Sequence, residues 1–253
     1  MIEIFNLIEC IQNERKRELG MQEPRNLVNT EVGLSTFMTR MYGFMGYAVA
    51  LSALIAYLSG VVFRAQMMPI LSGHPFIFII VLIGLLVFSG TASRKALQNA
   101  KTGFLMLTLF ALFFGLEFSV IFLTFNLPTI ASAFIAAAIT FVSMSVIGAT
   151  THKDMTRIGN QLFAAFIALF VVMIINIFLR SAVIDYLFSF IGVIIFAGLS
   201  MTDTNKMKAI YLQYGDRVSM NGLATQGALQ LYVDFLNLFQ FLLQIFGGFG
   251  SRD

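Results

Sequence analysis

"LQLYVDFLNLFQFLLQIFG", residues 229–247, is long and apolar enough to cross a bilayer, yet Asp234 sits near its middle. Gln230, Asn237, Gln240 and Gln244 flank it. On an α-helix, Gln226, Gln230, Asp234, Asn237, Gln240 and Gln244 follow one another at steps of three and four residues, so they share one face. Leu, Phe and Ile fill the remaining faces. A carboxylate at the centre of a membrane helix costs roughly 2.5–3.5 kcal/mol on insertion scales. The stripe is therefore expected to face protein or a water-filled cavity, with other helices around the last one. Amides in such a stripe serve as interhelical hydrogen bonders, each contributing about 0.6 kcal/mol on average. Asp234 needs more than that. A buried carboxylate without a cation takes up a proton or finds a partner, and either makes its state depend on pH.

The rest of the chain agrees with a membrane setting. Of 253 residues, 58% are hydrophobic and 11% charged, and mean hydropathy is +0.85. Soluble chains carry about 25% charged residues. The net charge of +3 is read through its distribution between loops and not as a nucleic-acid signal. The single cysteine, Cys10, excludes an intramolecular disulfide and any CxxC motif. Residues 1–36 do not form a signal peptide, because Glu3, Glu9, Glu14 and Glu18 interrupt every apolar run. Ile4, Leu7, Ile8 and Ile11 fall at helical spacing, so this tail reads as either a surface amphipathic helix or a solvated segment.

Seven stretches are apolar over the roughly 20 residues that a bilayer core requires. They are 41–63, 76–93, 103–125, 129–150, 160–180, 183–201 and 223–247. Strand alternation is absent, and lipid cannot satisfy free backbone groups, so the fold class is all-α with seven transmembrane helices. The layout is a cytoplasmic tail (1–36), a helical membrane domain (37–248) and a short external C-terminus (249–253). Thirteen of the sixteen Lys and Arg fall in the tail and in the loops after spans two, four and six; Arg64, Arg180 and Arg252 are the exceptions. The positive-inside rule then places the N-terminus in the cytoplasm and the C-terminus outside the cell's inner membrane.

Other polar residues within or beside the spans are few. Asp203, in "GLSMTDTNKMK" (198–208), is the nearest partner for Asp234. Spans six and seven are consecutive and antiparallel, hence expected neighbours. By these boundaries Asp234 lies some eleven residues into its span. The two acids then meet only if the tail of span six, or the start of span seven, dips below the headgroups. Glu117 reads either as a protonated carboxyl bonded to a neighbouring helix or as a second station on an ion path. Asn176 reads as a packing amide, and Arg180 with Asp185 as a surface pair of small consequence. No phosphate-binding loop, HExxH or GxSxG motif occurs, and no nucleophile sits beside a base at a telling spacing. An enzyme is not expected, nor a cofactor. Carboxyls with amide support suit a proton or a hard cation.

Three stretches resemble the Bax inhibitor-1 (transmembrane Bax inhibitor motif) family, in particular its bacterial YetJ-like and YccA-like members. They are "STFMTRMYGFMGYAVALSALIAYLSG" (35–60), "HKDMTRIGNQLFAAFIALFVVMIINIFLRSAVIDYLFSFIGVIIFAGLSMTDTNKMK" (152–208) and the stretch quoted first. The resemblance covers most of residues 33–248. It implies a seven-helix fold with the last helix wrapped by the other six, and a pH-sensitive calcium leak. It also implies that Asp203 and Asp234 form a hydrogen-bonded, proton-sensing pair near the cytoplasmic side, the candidate gate and calcium ligands. Two close carboxylates do not both ionise cheaply, so such a pair shares a proton and titrates as a unit. Gln230, Asn237 and Glu117 are candidate support along the ion path. Thr91 stands where relatives often carry a latch arginine, with Arg94 one turn later as its candidate substitute. Thr202 replaces a common tyrosine. The competing expectation is a non-conducting regulator of a membrane-bound protease, docking through "NERKRELG" (13–20). Expected partners are thus lipid, calcium, protons and such a protease, with no nucleic acid.

Overall fold

A computed structural model describes residues 32–67, 100–179, 181–215 and 219–250. All regular structure among them is helical. Six helices are long and apolar enough to cross a membrane: α1 Val32–Val62, α2 Ala100–Phe118, α3 Leu127–Thr150, α4 Thr156–Leu179, α5 Ala182–Tyr214 and α6 Met220–Gly250. They correspond to predicted spans one and three to seven. The second predicted span (76–93), Arg94 and residues 1–31 lie outside the described residues. The protein is an all-α integral membrane protein.

Local chemistry sets the helix ends. The "NLP" turn starts α3 because the Asn126 side chain accepts from the Thr129 N–H at 2.9 Å, with Pro128 in the first turn, where its missing donor costs nothing. Ser181 caps α5 in the same way, accepting from the Ile184 N–H at 3.5 Å. Asp154 precedes α4 and accepts from both the N–H and the hydroxyl of Thr156. The last turn of α1, Leu58–Val62, is π-helical. Gly60 lies there against the Ser119 carbonyl, and a Cβ at this position would stand 2.6 Å from that oxygen.

The core gathers around α6. Leu231, Leu236 and Phe241 point in different directions around it, and all are buried. A helix apolar on most sides belongs inside a bundle. It packs against α2, α3 and α5. Met41 of α1 lies against Gly227. Helix α3 turns mostly small residues inward: Ala133, Ala137, Phe141, Ser145 and Gly148 are its buried positions, three or four residues apart. Phe134 and Phe141 meet Phe235 of α6 edge-to-face, with ring centroids 5.5 and 5.8 Å apart. By contrast, α4 packs on α5 and leaves Phe170, Ile174 and Phe178 exposed, as lipid-facing residues are.

Two boundaries differ from the sequence expectation in ways that matter. Helix α1 already includes residues 32–36, assigned above to the tail. Helix α5 does not stop at 201 but runs to Tyr214, so Lys206 and Lys208 are helical and not loop residues. Hydropathy falls after Met201, but Gly215 is the next residue that breaks a helix.

Candidate functional site

The length of α5 resolves the depth problem. Asp203 lies eleven residues before Tyr214, the last residue of α5, and Asp234 fourteen after Met220, the first of α6. The helices are antiparallel and joined by a short connection, so the two acids come to similar depth. Their carboxyl groups lie against each other, and Gln230, one turn before Asp234, lies against Asp203 as well. Asp234 is 5% exposed and its Oδ2 atom has no hydrogen-bond partner. Asp203 is half-buried.

Both acids line a cavity of about 630 Å3 between α4, α5 and α6. Four members of the polar stripe, Gln226, Gln230, Asp234 and Asn237, form its α6 wall. The Asn237 side chain is also held by its own helix, donating to the Val233 carbonyl at 2.8 Å. Gln244 leaves this arrangement and accepts from the Ser189 hydroxyl at 2.7 Å. Lys206, one turn after Asp203, brings a positive charge to the same wall.

Helix α5 is fixed at this level by contacts with α3. Asn205 donates from Nδ2 to the carbonyls of Gly148 and Thr151, and Lys208 donates from Nζ to that of Ala149 at 2.7 Å. These are the terminal carbonyls of α3, which no residue of α3 itself can satisfy. Tyr42 of α1 reaches Thr204 at 3.4 Å. Residues just after Asp203 thus tie its helix to two others.

Glu117 is not brought to the pair. It sits on α2, on the side of the buried Tyr232. Tyr232 is two residues from Asp234, hence on nearly the opposite side of α6. Asn176, read above as a packing amide, donates to Asp185 at 2.5 Å and exchanges bonds with the backbone of Ser181. Asp185 therefore serves an interhelical clasp; the proposed surface pair with Arg180 falls outside the described residues.

Sequence reasoning missed the α4 wall of the cavity. Thr156, Gly159, Asn160, Phe163 and Phe166 line it at helical spacing. The signal was present in "TRIGNQLFAAF" (156–166), where polar and small residues recur on the aromatic face.

The fold and this site define a class: a polytopic helical membrane protein with a buried acidic pair between its last two helices. The family model described as "Inhibitor of apoptosis-promoting Bax1" matches residues 34–251, and the chain belongs to the Bax inhibitor-1 family. A membrane protein of Streptococcus pyogenes serotype M3 is 35% identical over 218 residues, 86% of this chain and 95% of that one. Inner membrane protein YbhL of Escherichia coli K12 is 34% identical over 227 residues, 88% and 95% of the two chains. YrjE of Lactococcus lactis is 34% identical over 222 residues, 87% and 94%.

Proposed function

We propose that the protein is a non-enzymatic, proton-gated calcium leak of the cytoplasmic membrane, in which Asp203 and Asp234 act as sensor and gate. The observation that carries this reading is the contact of the two carboxyls in the wall of an intramembrane cavity. A calcium ion and a shared proton compete for the same oxygens, so proton loss favours the ion. Calcium takes six to eight oxygen ligands. Among the described residues no group of three or more His, Cys, Asp and Glu could hold a metal. Two carboxylates with the side-chain oxygens of Gln230 and Asn237 suit a weak station that an ion enters and leaves, as conduction requires. The orientation, with the N-terminus in the cytoplasm, is part of the proposal and rests on the distribution of Lys and Arg.

The test is calcium flux into liposomes holding the purified protein, between pH 6 and pH 8. Flux is expected to depend on pH, and Asp234→Asn is expected to change that dependence. Equal flux across the range, unchanged in the variant, would overturn the reading. In that event the protease-regulator alternative gains weight, and loss of a co-purifying membrane protease on deletion of residues 1–30 becomes its test.

A further inference from the structure

The cavity is larger and more aromatic than an inorganic cation needs. At about 630 Å3 it falls within the range of roughly 300–1,000 Å3 typical of sites for organic ligands. Its charged groups and amides gather on α5 and α6, with Thr156 and Asn160 of α4 the exceptions among its polar residues. Phe163 and Phe166 of α4 and Phe196 of α5 form an aromatic wall, with ring centroids 6.2 Å apart for the first two and 5.3 Å for the last two. Phe163 and Asn160 are exposed on α4 and so form a rim. Asp234 is part of the polar side, and its Oδ2 atom is buried without a hydrogen-bond partner. A desolvated acceptor without a donor is costly, and a donor that reaches it on a turn of the carboxyl would relieve that cost.

We propose that this cavity binds an amphipathic organic cation, an ammonium or guanidinium group carrying a compact apolar body. The cationic N–H groups donate to Asp234 and Asp203. The apolar body lies against Phe163 and Phe166, whose ring faces also attract the cation. Such a ligand reaches the site through the bilayer, past α4, and excludes calcium from the pair. Among the described lining residues the charged groups are Asp203, Asp234 and Lys206. Lys206 is exposed, and its long stem lets its ammonium turn outward to water as the ligand enters. The inference needs the cavity and the acids but not a calcium flux, so it stands or falls apart from the leak.

The experiment measures saturable binding of radiolabelled 1-aminoadamantane to the full chain in lipid nanodiscs, with empty nanodiscs as the blank. The expected result is saturable binding of the amine and none of 1-adamantanol, which has the same cage and no charge. Asp234→Asn should weaken it roughly ten- to hundredfold, as loss of a charge-assisted hydrogen bond does. Phe163→Ala, at an exposed position that should not affect folding, should weaken it roughly two- to fivefold. Asp203→Asn serves if the Asp234 variant is not monodisperse. Equal saturable binding of the alcohol, or an affinity unchanged in the aspartate variants, overturns the proposal, as does the absence of saturable binding. A flat calcium flux with aspartate-dependent amine binding would instead sink only the leak.

Discussion

Gly148 of α3 lies directly against the Met201 carbonyl of α5, so close that a Cβ would overlap it and also stand 3.1 Å from the Thr204 side chain. This is the closest kind of helix contact, and it occurs two residues before Asp203. Only glycine permits it, because the obstructing atom is backbone and cannot rotate away.

Gly148→Ala must therefore push α3 and α5 apart. Overpacking of a tight contact costs about 1–3 kcal/mol. The variant should unfold at lower temperature in detergent, and its calcium flux should change, because Asp203 moves with α5. An unchanged melting temperature would show that the two helices are not locked here.

Asn205 and Lys208 act on the same junction by supplying donors to the end of α3. Asn205 is buried and serves two carbonyls. Asn205→Leu leaves both without it and should cost about 1–3 kcal/mol. Lys208→Met keeps the aliphatic stem and should cost less, because the Lys208 side chain is only partly buried. Thermal unfolding of the two variants side by side should rank them in that order. The reverse ranking would mean that the lysine is the true cap.

This junction also shows what the sequence could and could not disclose. The spacing of Gln226, Gln230, Asp234 and Asn237 identified the face that α6 turns to the cavity, although its apolar faces are the more deeply buried ones, and Asp203 was legible as the neighbour of Asp234. Hydropathy placed α3, α4 and α6 within four residues of their observed limits, because lipid demands apolar residues, but it began α1 nine residues late and carried the third span seven residues past the end of α2. It failed at the end of α5, where a helix continues through "TDTNKMKAIYLQY" (202–214) held by tertiary contacts and not by lipid. It failed for α4 too: Asn160 and Phe163 gain meaning only from the helices facing them. The separation of Glu117 from the pair depends on which side of α6 packs against α2, and periodicity on one helix carries no information about its neighbour.

Ser189 ties α5 to α6 far along the helices from the acids, donating to Gln244 while its helix bonds to Asn176 through Asp185. Ser189→Ala leaves the Gln244 oxygen without this donor and should cost about 0.5–1.5 kcal/mol. It should leave the pH dependence of calcium flux untouched. A change in that dependence without a change in stability would indicate that this end of the bundle takes part in gating.

Asp154 gives a local pH signature outside the membrane. Hydrogen bonds from the Thr156 hydroxyl, then from its backbone N–H, hold the Asp154 carboxyl below the ordinary value of 3.8. The folded-state value is depressed, so the stabilisation is present at neutral pH and lost as pH falls through that lower value. In carbon-13 spectra the Asp154 carboxyl should titrate below 3.8. Thr156→Val, which removes the hydroxyl donor, should move the midpoint upward. A midpoint that ignores the substitution would mean that the bond does not persist in solution.

Glu117 separates two ideas about how a proton is read. It lies near Tyr232, on the side of α6 turned away from the cavity, and it is not among the cavity's lining residues. If the pair alone senses protons, Glu117→Gln should leave the pH dependence of flux in place, with at most a small shift in midpoint through the intervening helix. Asp234→Asn in the same preparation should alter it. Parallel flux curves from pH 6 to pH 8 for the wild type and both variants make the comparison. If Glu117→Gln abolished the dependence as fully as Asp234→Asn, the sensor would have to span both sides of α6, and the helix would have to move as a body to couple them.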